Sequence, residues 1–346
     1  MASYNQSGHR VRKRRSELGW TQDELARRAG ISRSAVTAVE AERLVPSVEA
    51  ALGIARALQT TVEALFSPVD PATSTEVWAW PPAASTSPAW TATVGNRIVR
   101  YPASSIPMWT PLPHPETPGA DQVETLAVAG CDPAAGLLAS RFAAVTGLRL
   151  LAIPRSSRQG LELLRDGLVH MAGLHLATAD APEANIQAAT QTLREPFRLL
   201  RIATWQDGVV VSPTAKLRSV EAAVAPKVKW VGRETGSGAR QCLDRIFDGR
   251  PAPRRTARDH RGVAEAIRSG WAEAGVCVEL VSAEAGLDFL PVQQEAYDLC
   301  YPARLADDRR IKALVSVVRS PAYRRLLDQL PGYDTSETGS LWESKG

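Results

Sequence analysis

The apolar positions change their period along the chain. Up to about residue 66 they fall three to four apart, the spacing of helices that bury one face. Val11 and Leu18 share a face of a basic helix over 7–18, which Gly19 ends. Thr21, with Glu24 three residues on, predicts a capping box, after which Leu25 and Ala29 lie at helical spacing. Gly30 breaks that helix, Ile31 plugs the core behind it, and Ser32 caps the next. In that helix Ala35, Val36 and Val39 face inward, leaving Arg33, Ser34 and Thr37 outside. Pro46-Ser47 starts a fourth helix containing Val48, Leu52, Ala55 and Leu58, and Thr61 to Leu65 forms a short fifth.

The pattern then lapses. Eleven of the 24 prolines lie between Pro68 and Pro118, a density that prevents long helices. Four of the nine tryptophans (Trp78, Trp80, Trp90, Trp109) are also here, which argues against a purely solvated linker. The run from Trp90 to Tyr101 alternates around Gly95-Asn96, a hairpin signal. Two readings stand: a strand pair packed on the next domain or between protomers, and a partly ordered linker with aromatic anchors.

From Glu124 onward, strand runs alternate with helical patterns. TLAVAGC, LRLLAIP, HMAGLHL, GVVVS, KVKWVG, AGVCVEL, LDFLPV and YDLCYP read as strands. Helices are expected over 133–146, 159–166, 238–247, 263–269, 306–318 and 321–329. This alternation predicts a parallel, doubly wound sheet covered on both faces. LLRDGLVHMAGLHL and AIRSGWAEAGVCVEL both run from a helix end through glycine into a strand, an internal echo that two similar lobes would explain. The overall fold class is α/β, with an all-α N-terminal bundle. Its divisions are residues 1–67, a connector over 68–121, and residues 122–342.

Composition is that of an ordinary globular chain of 346 residues, but its charge is uneven. Residues 1–66 hold ten Arg/Lys and seven Asp/Glu, so +3 of the net +4 sits there. Arg10, Arg12, Lys13, Arg14 and Arg15 form a run suited to a phosphate backbone or an anionic membrane, or simply to a solvated helix face. No apolar stretch reaches the ~20 residues a membrane helix needs, and the first residues carry no signal-peptide pattern, so a cytoplasmic location is expected. Cys131, Cys242, Cys277 and Cys300 are far apart without CxxC spacing and read as buried small hydrophobes, with neither a disulfide nor a metal site.

The stretch LGWTQDELARRAGISRSAVTAVEAER resembles the helix-turn-helix of the Cro/repressor-like (XRE) family over about residues 8–66. The resemblance implies that the helix after Ser32 enters the major groove of double-stranded DNA. Carried over by position, Arg33, Ser34 and Thr37 would face bases, with Arg33 favouring guanine, and the cap Ser32 would belong to the same DNA-binding surface. Gln22, Arg14, Arg15 and Arg43 would hold phosphates and set the register. Glu40 would buttress the domain. Because one such motif reads only a half-site, a homodimer is expected.

AGCDPAAGLLASRF, LELLRDGLVHMAGLHL, WVGRETGSGAR, GLDFLPVQQEAYDLCYP and LDQLPGYDTSETGSLW resemble the periplasmic-binding-protein-like sensor domain, of the branch related to molybdate-binding proteins, that is fused to bacterial helix-turn-helix regulators. The resemblance implies two α/β lobes around a ligand cleft. The residues themselves supply candidates for that cleft. Asp132 before Pro133, Ser156-Ser157 and Gly236-Ser237-Gly238 stand at strand-to-helix junctions, whose free N–H groups suit an anion. Arg233 and Arg240 flank the glycine turn and could pair with it. His175 would sit on the cleft edge, and Tyr297 could donate a hydroxyl. Each has a plainer reading as a turn, a cap or a structural histidine. Relatives often carry threonine where this chain has Ala239, and RSSRQG is more basic than the usual second junction. Arg155 or Arg158 would then favour a larger or more highly charged ligand, though an oxyanion such as molybdate stays among the candidates. No other cofactor is implied. No Gly-x-Ser-x-Gly elbow, HExxH site or GxxxxGK[ST] loop appears, so catalysis is not expected. The reading is a ligand-responsive transcriptional regulator. Its alternative is a DNA-binding protein whose C-terminal domain is a ligand-free platform for oligomerisation or protein interaction.

Overall fold

The computed structural model describes residues 7–66, 75–84, 88–103 and 124–344. Trp109 and the remainder of the proline-rich connector lie outside them. The chain divides into two compact units, Met1–Thr75 and Glu76–Gly346. No helix among the described residues is long and apolar enough to cross a membrane.

The first unit is five helices: α1 (Ser7–Glu17), α2 (Gln22–Ala29), α3 (Arg33–Glu40), α4 (Val48–Ala57) and α5 (Val62–Phe66). Val11, Leu25, Val36, Val39, Ile54 and Leu58 close its core. Gly30 ends α2 in the left-handed region at φ 70°, and Ser32 caps α3 by accepting from the Ala35 N–H. One expectation changes. Thr21 accepts from the Glu24 N–H, but the Glu24 carboxylate turns to Arg27 and Arg28, so the cap is one-sided. On α4, Val48 and Leu52 are exposed, while Ala51, Ile54 and Ala55 face the core. Gly53 lets α4 touch α2, since a Cβ there would strike the Ala29 carbonyl.

The second unit opens with β1 (Thr75–Trp78), which pairs with a hairpin of β2 (Ala89–Val94) and β3 (Arg97–Pro102) turning at Gly95. The hairpin is an integral layer of this unit. Trp90, Ala92, Val94, Val99 and Tyr101 share one core with Ala127, Leu151 and Leu164. The Tyr101 hydroxyl donates to the Leu168 carbonyl, and the buried His170 ring links the Ala127 N–H to the Thr93 carbonyl.

The main sheet holds β4 (Thr125–Gly130), β5 (Arg149–Pro154), β6 (Met171–Thr178), β7 (Phe197–Val211), β8 (Trp230–Arg233), β9 (Thr256–Ala257), β10 (Ala274–Val278) and β11 (Asp288–Pro302). Their order is β5-β4-β6-β11-β7-β10-β8-β9, and β12 (Tyr333–Asp334) and β13 (Leu341–Glu343) also pair with β7. The sheet is mixed, which corrects the all-parallel expectation. β4 is parallel to β5 and β6, and β8 to β9 and β10, but β7 and β11 run antiparallel to their neighbours. LDFLPV and YDLCYP, read as two strands, are one fifteen-residue strand, and β7 is as long. These two strands pass through both lobes, each flanked by a parallel set. The internal echo falls on β6 and β10, the strands next to the crossovers on either side. β11 is bulged between Pro291 and Gln293, where it leaves the second lobe, and again between Tyr297 and Asp298.

Helices α6 (Ala135–Thr146) and α13 (Arg309–Arg319) cover one face of the first lobe through Leu138, Phe142, Ile311 and Leu314. α7 (Ser157–Arg165) and α8 (Ala184–Thr192) cover the other. The second lobe carries α9 (Val220–Ala223), α10 (Gly238–Phe247), α11 (His260–Arg268) and α12 (Glu279–Ala285), and α14 (Pro321–Leu327) follows α13.

Candidate functional sites

In the helical unit, α3 presents Arg33 and Ser34 to solvent, with Arg33 placed 3.4 Å from Asp23. Arg43 is exposed just beyond it. Ser32 caps the helix and touches Ser34. Other expected contacts face inward. Arg15 forms a fork with Glu40 at 2.6 and 3.0 Å and donates to the Trp20 carbonyl. Its expected phosphate role is therefore replaced by a structural one: its side chain is only 12% exposed, and Glu40's 5%. Gln22 donates to Glu40 and accepts from the Thr37 hydroxyl, so both residues belong to the same buttress. Arg14 is half-exposed, held by the Leu58 carbonyl and Glu17.

In the second unit, the ends of β4 and β6, the middle of β7 and β11, and the starts of α7, α10 and α11 converge between the lobes. His175 is fully buried. Its Nδ1 lies 2.7 Å from Glu295 and its Nε2 2.9 Å from the Cys131 thiol. Its backbone N–H donates to the Ser157 hydroxyl. Glu295 is further held by Gln293 and the Trp205 indole. Trp205 stacks on Tyr297 at 4.7 Å. Tyr297 is buried against Gly130 and Gly173, where only a missing Cβ leaves room for its ring. His260, the first residue of α11, stands 5.9 Å from His175, ring to ring, and both its nitrogens lack partners.

Arg233, at the end of β8, is 1% exposed, and none of its three guanidinium nitrogens has a hydrogen-bond partner. Asp207 is buried beside Glu295 with neither oxygen in a well-aligned hydrogen bond. Burial, reinforced by Glu295, pushes the Asp207 carboxyl well above its usual range. Burial disfavours a charged His175, but Cys131 and Glu295 outweigh it and raise the imidazole well above the usual value. His260 goes the other way, lowered by burial and then by the charges of Arg233 and His175. Asp132 is raised by burial although Tyr333 and the Ala134 N–H donate to it.

Of the expected cleft residues, the structure gathers Asp132, Ser157, His175, Arg233, Gly238 and Tyr297 around this centre. Ser156 and Ser237 are buried caps of α7 and α10. Arg240 is not free for a ligand, because it pairs with Asp244 on its own helix at 2.8 Å. Arg155 lies over Trp80 at 4.0 Å and Arg158 pairs with Glu162, so neither points a free charge inward. Cys131, read as a core residue, is half-buried at the centre itself. Sequence reasoning missed His260, Asp207 and Trp205, which lie in no motif, and Glu295 and Tyr333, which lie in the stretches that carry the resemblance but were not singled out; the five meet only in the folded chain. The lobes touch across the cleft: Gln159 to Glu234 at 3.3 Å, Arg245 to Asp180 at 3.3 Å, and Arg261 to the Pro133 carbonyl at 3.4 Å.

A family model described as a PBP superfamily domain matches residues 139–319. The chain belongs to the PBP superfamily. A helix-turn-helix model matches residues 11–65, which places a DNA-binding domain ahead of it. The chain is similar to YvgK, an uncharacterized protein of Bacillus subtilis: 26% identical over 197 residues, 54% of this chain and 63% of the relative, so the match spans less than two thirds of that protein. An uncharacterized HTH-type transcriptional regulator of Methanothermobacter thermautotrophicus is 50% identical over 48 residues, 14% of this chain and 70% of its own length. Among solved structures, the tungstate ABC transporter protein of Geobacter sulfurreducens has TM-score 0.47 at 11% identity, covering 60% of this chain and 98% of that one.

Proposed function

We propose that the protein is a ligand-responsive transcriptional regulator, not an enzyme. The helix-turn-helix binds operator DNA as a dimer, with Arg33 and Ser34 reading bases and Arg14 and Arg43 on phosphates. The PBP domain senses a small anionic molecule between its lobes.

The observation that carries the ligand reading is Arg233. A guanidinium removed from water without partners costs several kcal/mol. A bound carboxylate or oxyanion would take up its N–H groups and offset that cost. Ser157 and Ser237 stand at the N-termini of α7 and α10, where backbone donors also favour an anion.

Thermal-shift measurements on the full chain with molybdate, tungstate, phosphate, sulfate and small carboxylates test this. At least one should raise the midpoint of the wild type by mass action and change its operator affinity. Arg233→Met should abolish that response, because the guanidinium that would hold the anion is gone. If no anion acts on the wild type, the platform reading replaces this one.

A further inference from the structure

Cys131, His175 and His260 offer a thiol sulfur and two imidazole nitrogens that all lie within 4.8 Å of one another. We propose that these three residues bind a divalent transition-metal ion of borderline softness, of the zinc class, and that the ion clamps the two lobes together.

The donor set is one that such an ion takes: thiolate and imidazole suit zinc, whereas hard ions such as magnesium prefer oxygen. Three protein ligands leave a fourth position for water or another molecule, the usual state of an open zinc site. Two details go beyond proximity. His260 is 1% exposed with both ring nitrogens unpartnered, so a buried polar ring faces the cluster with nothing to bind. His175 is held as a ligand would be held: its Nδ1 donates to Glu295, which directs Nε2 at Cys131. A carboxylate behind the far nitrogen fixes the tautomer and orientation of metal-binding histidines.

Cys131 Sγ and His175 Nε2 stand 2.9 Å apart. Around a metal ion the two donor atoms would separate to about 3.5 Å, the edge of a tetrahedron with zinc bond lengths. Charge is also accommodated, since a metal-bound thiolate and Glu295, 2.7 Å from the far nitrogen of His175, offset the ion's charge.

The ligands come from both sides of the cleft. Cys131 follows β4 and His175 lies within β6, both in the first lobe, while His260 begins α11 in the second. Opening the lobes would withdraw His260 and break the set, so occupancy and closure are linked. This proposal does not depend on the anion reading.

The test uses the full chain, stripped with a chelator and kept reduced, titrated with Co(II) and then competed with Zn(II). One Co(II) per chain is expected, with the visible bands of a tetrahedral site and a near-ultraviolet thiolate-to-cobalt band, both erased by Zn(II). Cys131→Ser should remove the thiolate band, and Cys300→Ala should keep it. Glu295→Gln should weaken affinity about 10–100-fold. X-ray absorption of the zinc-loaded wild type, which needs no variant to fold, should show one sulfur and two imidazole nitrogens. No stoichiometric uptake, a thiolate band that survives Cys131→Ser, or a shell without sulfur would overturn the proposal. None of these results would touch the anion response of Arg233.

Discussion

Arg33 is the residue on which DNA specificity rests in our reading. It is exposed at the first turn of α3, and its contact with Asp23 is long and solvated, worth little against a guanine edge. Arg33→Ala is therefore expected to relax sequence preference at one base position by about 1–3 kcal/mol while leaving the fold intact. Binding-site selection with both proteins measures this; an unchanged consensus would remove Arg33 from the recognition surface. Arg15 shows how residue identity alone misleads. In sequence it belongs to a basic run, but the nearest carboxylate in space is Glu40, 25 residues away.

At the scale of elements, the closed cleft depends on a glycine. A Cβ on Gly238 would run into the carbonyl and ring of His175, so α10 can approach β6 only without one. Gly238→Ala should destabilise the PBP domain by about 1–3 kcal/mol, the usual cost of overpacking, as read by urea denaturation. Wild-type stability would mean that this contact opens freely. The hairpin is tied to β4 by His170, whose imidazole is held neutral by burial and then by Arg310, far below its ordinary value of 6.5. The unfolded chain takes up a proton there below about pH 6.5 and the folded chain does not. This group's contribution is thus complete above that pH and declines as pH falls, by about 1.4 kcal/mol per unit. Thermal midpoints taken from about pH 7.5 to about 4.5 should fall less steeply in His170→Asn, which keeps an acceptor for Ala127 without titrating. Parallel slopes would contradict this.

At the scale of the whole molecule, regulation requires that effector and operator influence one another. If an effector changes operator affinity by some factor, operator DNA must change effector affinity by the same factor. Titrating effector with and without operator DNA checks this, and a one-sided effect would show that the two measurements report different species. The metal clamp adds a second input to the same equilibrium, since closure gathers its ligands.

Much of the architecture could be read from the sequence for a local reason. Caps, glycine turns and 3.6-residue spacing act within a few residues, so the five helices, the Gly95 turn and most strand-helix units were legible. So were the junction residues Asp132, Ser157 and Gly238, because a strand end followed by a helix start has its own local pattern. Other features arise from residues distant in sequence, and only the tertiary structure decided them. The mixed sheet depends on β7 and β11 pairing along fifteen residues, which no local period encodes, and the polar run Gln293-Gln294-Glu295 made β11 look like two strands. Arg15 meets Glu40, Glu295 meets His175 across 120 residues, and His260 joins Cys131 only when the lobes close. A lone cysteine, a helix-leading histidine and an arginine at a strand end carry no signal in isolation. Burial without hydrogen-bond partners singles out His260 and Arg233, and the approach of Cys131 to His175 exists only in the folded chain.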